Sequence, residues 1–356
     1  MRQYNVNVYI SKENVYIKID ELPMKTTIKD VASKANVSIA TVSRVFNKEN
    51  VVVEETKQRI LKAAEDLQYV PNHVARSLST NRTDTVGLLL PDLHGEFFSE
   101  IIRGIDQVAQ QSDGHLLVSS SHNKKDEIRA ALRLMSGRVD GIIIMSPNID
   151  AETLHRNIPK GIPVVLLNCF LNDQSFDSIN IDNFTGASMV VKHLITHGHT
   201  KIAHIKGNDE NYDARQRIEG YRKALSEAKL EQYAVEVVGD FTQSSGYNAA
   251  KEILKMKDRP SAIFAGNDSM AIGAIGALKD SGVEVPNEIA VVGFDDIPVA
   301  KYLQPRLTTV GIDVDEYGGL AMKRLLANIN DGDNHKKQHT IISPHLAVRD
   351  SCGSHL

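Results

Sequence analysis

From residue 86 onward the chain alternates short apolar runs with amphipathic stretches, and no other feature limits its fold as strongly. The apolar runs fall at 86–90, 116–120, 141–145, 164–167, 201–206, 262–265 and 289–293. Between them lie stretches such as 97–111, 127–135, 186–197, 217–228, 246–256 and 268–280, whose apolar residues recur at helical spacing. Strand–helix alternation predicts parallel sheets with helices on both faces. Strands that are apolar throughout fit that arrangement, because both faces of the sheet are covered. About 270 residues is long for one such sheet, so the pattern predicts two α/β lobes. A cleft between lobes, at the carboxyl ends of the strands, is then the expected ligand site.

The segment before residue 86 follows different rules. Residues 27–70 read as three short helices. Thr27-Ile28-Lys29-Asp30 resembles a capping box with Asp in place of the usual Glu or Gln. Ile28, Val31, Ala32 and Ala35 then share one helical face. Asn36-Val37-Ser38 forms a turn, and Ser38 caps a second helix that points Val42, Val45 and Phe46 inward. A third helix starts near Glu54-Glu55, where acids suit the helix dipole, and buries Ile60, Leu61, Ala64 and Leu67. It ends before Pro71, which disfavours a helical residue ahead of it. Residues 72–85 read as a joint: a short helix over 73–78 capped by Asn72, then a polar linker. At the very start, Val6, Val8 and Ile10, then Val15, Ile17 and Ile19, alternate with polar residues around Ser11-Lys12-Glu13-Asn14, as in a hairpin. Residues 1–23 are read as an extension, and Met24 as the candidate biological start.

Charge separates the same regions. Residues 25–85 carry ten Lys or Arg and seven Asp or Glu, whereas 86–356 carry 28 and 35. A basic head on an acidic body points to a polyanion partner for the head. The helix–turn–helix geometry sharpens this, since two short helices joined by a tight turn can set the second in a DNA major groove. The exposed edge Ser38, Ile39, Ala40, Thr41, Ser43 and Arg44 suits that use. Hydroxyls and amides hold phosphates, arginine reads guanine, and Ile39 and Ala40 can touch thymine methyls. Geometry alone leaves a purely structural helical hairpin as the other reading.

Other chemistries are poorly served. No apolar run reaches the roughly 18 residues of a membrane span, and the first 23 residues lack an apolar secretion core. Two cysteines, Cys169 and Cys352, make no disulfide framework and suit a reducing compartment, so a cytoplasmic location is expected. His193, His197 and His199 invite a zinc reading, but His197-Gly198 fits a helix end better. No glycine-rich phosphate loop and no Gly-x-Ser-x-Gly elbow is present. Asp295-Asp296 are adjacent and point in different directions, which argues against a catalytic pair. No cofactor and no metal is expected.

The motifs together resemble those of the lactose/galactose repressor family of bacterial transcription regulators, most closely its galactose-repressor branch. The resemblance runs from residue 24 to about 352. It rests on the segment 27–47, on Tyr69-Val70-Pro71-Asn72-His73-Val74-Ala75-Arg76-Ser77-Leu78, and on body motifs. The latter include Gly198-His199-Thr200-Lys201, Asp213-Ala214-Arg215-Gln216-Arg217-Ile218-Glu219-Gly220-Tyr221, Asn267-Asp268-Ser269 and Gly293-Phe294-Asp295-Asp296. It implies an all-α helix-turn-helix domain at 24–71, a hinge helix and linker at 72–85, and a periplasmic-binding-protein-like body of two α/β lobes at 86–352. It implies DNA contacts from Thr27, Ser38, Ile39, Ala40, Thr41, Ser43, Arg44 and Asn47. It adds hinge contacts from Asn72, Ala75, Arg76 and Leu78, with Leu78 as a minor-groove wedge. In the cleft it implies Phe98, Ser146, Asp150, Arg215, Tyr221, Asn267 and Asp295 around a carbohydrate effector. Many sugar-binding members carry Asn-Arg where this chain has Asn168-Cys169, a departure that bears on ligand class. The expected protein is a homodimeric repressor of operator DNA. The rivals are a sugar-binding protein without an operator, exported or cytoplasmic, and a sugar-modifying enzyme.

Overall fold

A computed structural model describes residues 4–10, 15–21, 26–47, 51–70, 82–147, 149–159, 161–171 and 173–353. The chain divides into two compact units, Met1–Thr83 and Asp84–Leu356.

In the first unit, β1 (Tyr4–Ile10) and β2 (Val15–Glu21) pair antiparallel, with Ile10 opposite Val15 and Tyr4 opposite Glu21. Three helices follow: α1 (Ile28–Lys34), α2 (Ile39–Phe46) and α3 (Glu54–Asp66). Their starts are set by local chemistry. The Asp30 carboxylate accepts from the Thr27 amide at 2.8 Å and the Thr27 hydroxyl at 2.7 Å, and these bonds hold its pKa below the usual range. Ser38 Oγ accepts from the Thr41 amide at 3.1 Å. Val31, Ala32, Ala35, Val42, Val45, Ile60, Ala63 and Ala64 form the core, with Phe46 tilted against Tyr69. Leu61, expected inside, is exposed, and Ala63 takes the inward position. The helical rotation of about 100° per residue carries Leu61 off the stripe of Ile60, Ala63 and Ala64. The expected hinge helix, with Asn72, Ala75, Arg76 and Leu78, lies outside the described residues.

The second unit is two-lobed, with one six-stranded sheet per lobe. The first has the order β13-β7-β6-β5-β3-β4 and is parallel throughout. Its strands are β3 (Thr85–Leu90), β4 (His115–Ser120), β5 (Gly141–Met145), β6 (Val164–Leu167), β7 (Asp177–Ile181) and β13 (His339–Ile342). The second has the order β14-β12-β11-β10-β8-β9. It comprises β8 (Ile202–Lys206), β9 (Val235–Val238), β10 (Ala262–Ala265), β11 (Ala290–Asp295), β12 (Thr308–Gly311) and β14 (His345–Ala347), of which β14 alone runs antiparallel to its neighbour. The sheets show why their strands read as unbroken apolar runs. Leu88, Leu90, Ile143 and Met145 face one core, while Leu89, Ile142 and Ile144 face another on the opposite side. In the second sheet, Ile263, Ala265 and Val291 face one core, and Ala262, Phe264, Ala290 and Val292 the other.

Eight helices among the described residues cover these faces: α4 (Glu96–Gln110), α5 (Lys125–Met135), α6 (Ala151–Asn157), α7 (Asn183–Thr196), α8 (Tyr212–Glu227), α9 (Gln243–Leu254), α10 (Asp268–Asp280) and α11 (Val314–Asp331). The chain changes lobes after β7, β12 and β13, so three strands of backbone join them. Gly198, at φ +89°, ends α7 as the His197-Gly198 pair predicted. The three histidines there are used separately. His193 Nε2 lies 3.3 Å from Cys352 Sγ, His197 Nδ1 donates to the His193 carbonyl at 2.8 Å, and His199 Nδ1 meets Ser261 Oγ at 2.9 Å. Among the described residues no helix is long and apolar enough to cross a membrane.

Candidate functional site

Two places in the molecule carry chemistry, one in each unit. In the first unit it is the outer edge of α2. Val42 and Val45 are buried, which turns Ser38, Ile39, Ala40 and Arg44 outward, with Thr41, Ser43 and Asn47 half-buried beside them. Ile39 is 44% exposed, a large apolar side chain held in water by the helix that presents it. Ser38 and Thr41 hydroxyls are 2.8 Å apart, and Asn47 Nδ2 reaches Ser43 Oγ at 3.5 Å. Thr27 stands exposed at the head of α1.

In the second unit it is a cavity of about 700 Å³. Its wall is built from chain just beyond strand ends: Asp92 after β3, Met145 and Pro147 at β5, Asn168 after β6, Asp240 and Phe241 after β9, Asn267 after β10 and Asp295 at the end of β11. Both sheets point their carboxyl ends at it, as the alternation predicted. Phe97 and Phe98, at the start of α4, add an edge-to-face aromatic pair with centroids 5.6 Å apart.

The floor is a buried polar network centred on Arg217. Its Nε donates to Asn183 Oδ1 at 2.8 Å, Nη1 donates to the Gly266 carbonyl, and Nη2 lies 3.5 Å from Asp295 Oδ1. The guanidinium sits 3.8 Å over the Phe294 ring. Asp213 accepts from Asn183 Nδ2 at 2.9 Å and Asn168 Nδ2 at 3.3 Å. Asn168 Oδ1 accepts in turn from the Ile181 amide at 3.0 Å and the Tyr317 hydroxyl at 3.1 Å. Two buried carboxylates thus feel one guanidinium, with Asp295 within ion-pair distance of it and Asp213 acted on through its charge. Burial pushes Asp295 up to about 7, against the pull of Arg217. Burial likewise pushes Asp213 up to about 6. Asp295 also holds φ +120°, a conformation costly for a residue with a side chain.

The raised Asp295 pKa fixes the sign of a pH effect. The unfolded carboxyl titrates near 3.9, so between roughly pH 4 and 7 the folded protein binds the extra proton. This group's contribution to stability therefore falls as pH rises through that window. Asp295→Asn removes the dependence. In thermal melts at pH 5 and pH 8, the variant should gain on the wild type by about 2–3 kcal/mol between the two. A difference that stays constant or reverses would contradict the buried-carboxylate account.

Of the residues expected in the cleft, Phe98, Asn267 and Asp295 line the cavity. Asn267 also caps α10, accepting from the Met270 amide at 2.9 Å. The other four are placed elsewhere. Tyr221 is fully buried in the second lobe, its hydroxyl donating to the Ile202 carbonyl at 2.8 Å and accepting from the Val235 amide at 3.0 Å. Arg215 is exposed, its Nη1 donating to the carbonyls of Asp209 and Glu210, both at 2.9 Å. Asp150 caps α6 through the Thr153 amide and pairs with Lys125 Nζ, each at 2.7 Å; these bonds, that to Lys125 foremost, hold its pKa down at about 2. Ser146 is buried behind the wall, between Met145 and Pro147, which line it. Cys169 is buried beside Ser146, and burial pushes its thiol up to about 12. The residues that sequence reading passed over are Arg217, Asp213 and Asn168. The helical wheel held the signal. Asp213, Arg217, Tyr221 and Ala224 follow at spacings of three and four on one face of α8, whereas Arg215 lies on the opposite side.

Two family descriptions match the chain: bacterial regulatory proteins of the lacI family over residues 27–72, and a periplasmic binding protein-like domain over 191–352. A small helical head and a two-lobed body with an interlobe cavity are the two parts of such a regulator, and the chain belongs to the LacI family. It is a DNA-binding transcriptional repressor regulated by a small molecule, not an enzyme. It is 36% identical to the HTH-type transcriptional repressor PurR of Photobacterium profundum, across 91% of this chain and 98% of that one. Among solved structures it resembles the lac repressor dimer bound to operator and an anti-inducer. There the TM-score is 0.81, with 30% identity, 92% of this chain and 99% of that chain covered. It also resembles a complex of the transcriptional regulator CelR with cellobiose. That match has a TM-score of 0.67 and 29% identity, with the same coverage of 92% and 99%.

Proposed function

We propose that this repressor acts in the cytoplasm as a homodimer on a near-palindromic operator, and that a carbohydrate held in the interlobe cavity controls its grip. The observation that carries the DNA half is the outward edge of α2, with Ser38, Ile39, Ala40, Thr41, Ser43 and Arg44 on a helix whose other face is the core of the head. In this reading Thr27, Ser38 and Thr41 hold phosphates, Ile39 and Ala40 touch thymine methyls, Arg44 reads guanine, and Ser43 and Asn47 complete the contacts. In the same reading Asn72, Ala75, Arg76 and Leu78 add hinge contacts to the DNA, with Leu78 as the minor-groove wedge. Two-fold symmetry of the protein calls for paired half-sites, and the operator-bound lac repressor dimer supports this.

The effector half of the reading places Arg217, Asp213, Asn267 and Asp295 around the ligand hydroxyls, with Phe98 and Phe97 against its apolar face. The cellobiose complex of CelR supports a carbohydrate. Ligand binding shifts the lobes, and a coupling of about 1–3 kcal/mol changes operator affinity roughly 5- to 150-fold.

The base-reading role has a direct test. Arg44→Ala should weaken binding to the operator by about 1–3 kcal/mol and relax base preference at one position of each half-site, while binding to random duplex changes little. Fluorescence anisotropy on both duplexes measures this. Unchanged operator affinity would remove Arg44 from base readout.

A further inference from the structure

The charge of the cavity wall is one-sided. Five carboxylates line it: Asp213 and Asp295 are buried, and Asp92, Glu96 and Asp240 are exposed. Among the described lining residues the one lysine or arginine is Arg217, and its charge already acts on both Asp213 and Asp295. His94 is the remaining titratable group of the wall.

The outer carboxylates belong to the architecture. Asp92 Oδ1 accepts from the Leu93 amide at 2.7 Å and the His94 amide at 3.1 Å, folding the loop after β3. Asp240 Oδ1 accepts from the Thr242 amide at 2.9 Å and the Thr242 hydroxyl at 2.6 Å, fixing the entry to α9. Glu96 Oε2 accepts from the Val299 amide at 3.1 Å, a bond from the first lobe to the second. Each of these groups is fixed in place as a hydrogen-bond acceptor at the cavity wall.

Ionised carboxylates only accept hydrogen bonds, and Asp295, pushed up to about 7, is partly protonated near neutral pH. A concave site lined by one sign of charge concentrates its field and repels ligands of that sign. A phosphate ester would bring about two more negative charges into a wall whose single guanidinium is already matched. Hydroxyl and ammonium groups, by contrast, bring donors to these acceptors without adding negative charge.

Resting on the effector reading above, we infer that the cavity takes a donor-rich polyol that is uncharged or carries an amine, and that it excludes phosphate esters and sugar acids. The rule concerns the charge class of the effector and follows from this wall.

Calorimetric titration of the full chain with matched sets tests it: glucose, glucosamine, glucose 6-phosphate and gluconate, then ribose and ribose 5-phosphate, and galactose and galactose 6-phosphate. Binding is expected only among uncharged and amine-bearing members, with the anionic counterpart of any binder weaker by roughly tenfold or more. Higher salt should narrow that gap, because screening weakens the repulsion from the exposed carboxylates. Asp240→Lys should narrow it too, and the salt series stands in if that variant misfolds. A phosphate or carboxylate member that binds as tightly as its neutral partner overturns the inference. So does a panel without any binder at about 10 mM, a concentration at which even weak sites fill. The titration needs no DNA. Failure of operator binding therefore sinks the proposed function and leaves the ranking readable, while an anion-preferring repressor sinks only the charge rule.

Discussion

Arg217→Met is expected to destabilise the α/β unit by about 3–5 kcal/mol, because it leaves two buried carboxylates without their shared counter-charge. Arg217 is 5% exposed, and Asp213 and Asp295 are each 8% exposed, so water cannot replace it cheaply. The loss also removes the ring contact with Phe294 and the bonds to Asn183 and Gly266. For a unit of this size the melting midpoint should fall by roughly 6–15 °C at pH 8. The fall should shrink toward pH 5, where Asp295, raised to about 7, and Asp213, raised to about 6, are protonated in the folded state. Adding Asp295→Asn to the variant should recover part of the loss, while effector affinity stays low. Scanning calorimetry of the single and double variants across pH checks all three statements. A single variant as stable as the wild type at pH 8 would show that the guanidinium does not neutralise this floor.

Val42→Asp should abolish operator binding through the opposite route, by unfolding the head. Val42 is fully buried at the centre of a core made of eight buried residues. An ionised carboxylate there, with no partner, costs several kcal/mol. A head this small has little stability to spare. Affinity for the operator should therefore fall to the non-specific level, a loss of roughly a thousandfold or more. The second unit has its own cores and should melt unchanged. Anisotropy on operator DNA, read beside calorimetry of the same sample, separates the two effects. Retained operator affinity would mean that this head is not the DNA-binding element.

The head was legible because its signals are local. Thr27 with Asp30, and Ser38, announce the helix starts, and the spacing of Val31, Val42, Val45 and Ile60 announces the inward faces. The apolar strands were legible for a similar reason, since burial on both faces leaves no polar residue to break the run. What was missed depends on contacts distant in sequence. β7 reads Asp-Ser-Ile-Asn-Ile, too polar for a buried strand. Its buried Asp177 is satisfied by Asn328 Nδ2 at 3.0 Å and the Gln338 amide at 2.9 Å, from elements 150 residues away. Helix α11 carries Gly318 and Gly319 in its interior, which weakens the helical signal. The structure uses the absence of side chains for close approach to α4. A Cβ on Gly318 would meet the Ile101 carbonyl, and one on Gly104 would meet that of Asp315. In the cavity, Asn267 and Asp295 came from the family resemblance, whose motifs fall at strand ends, and both line the wall. Arg217 was passed over for Arg215 because motif matching ignored which way each residue of α8 faces.

In the proposed function the head docks into duplex DNA as one half of a symmetric pair. Selection of bound sequences from a pool of random duplexes by the full-length protein tests this most directly. Enrichment of a near-palindrome is expected, with half-sites that lose their preference at one base pair in Arg44→Ala. Recovered sequences without two-fold symmetry, or no enrichment over the starting pool at low salt, would contradict it.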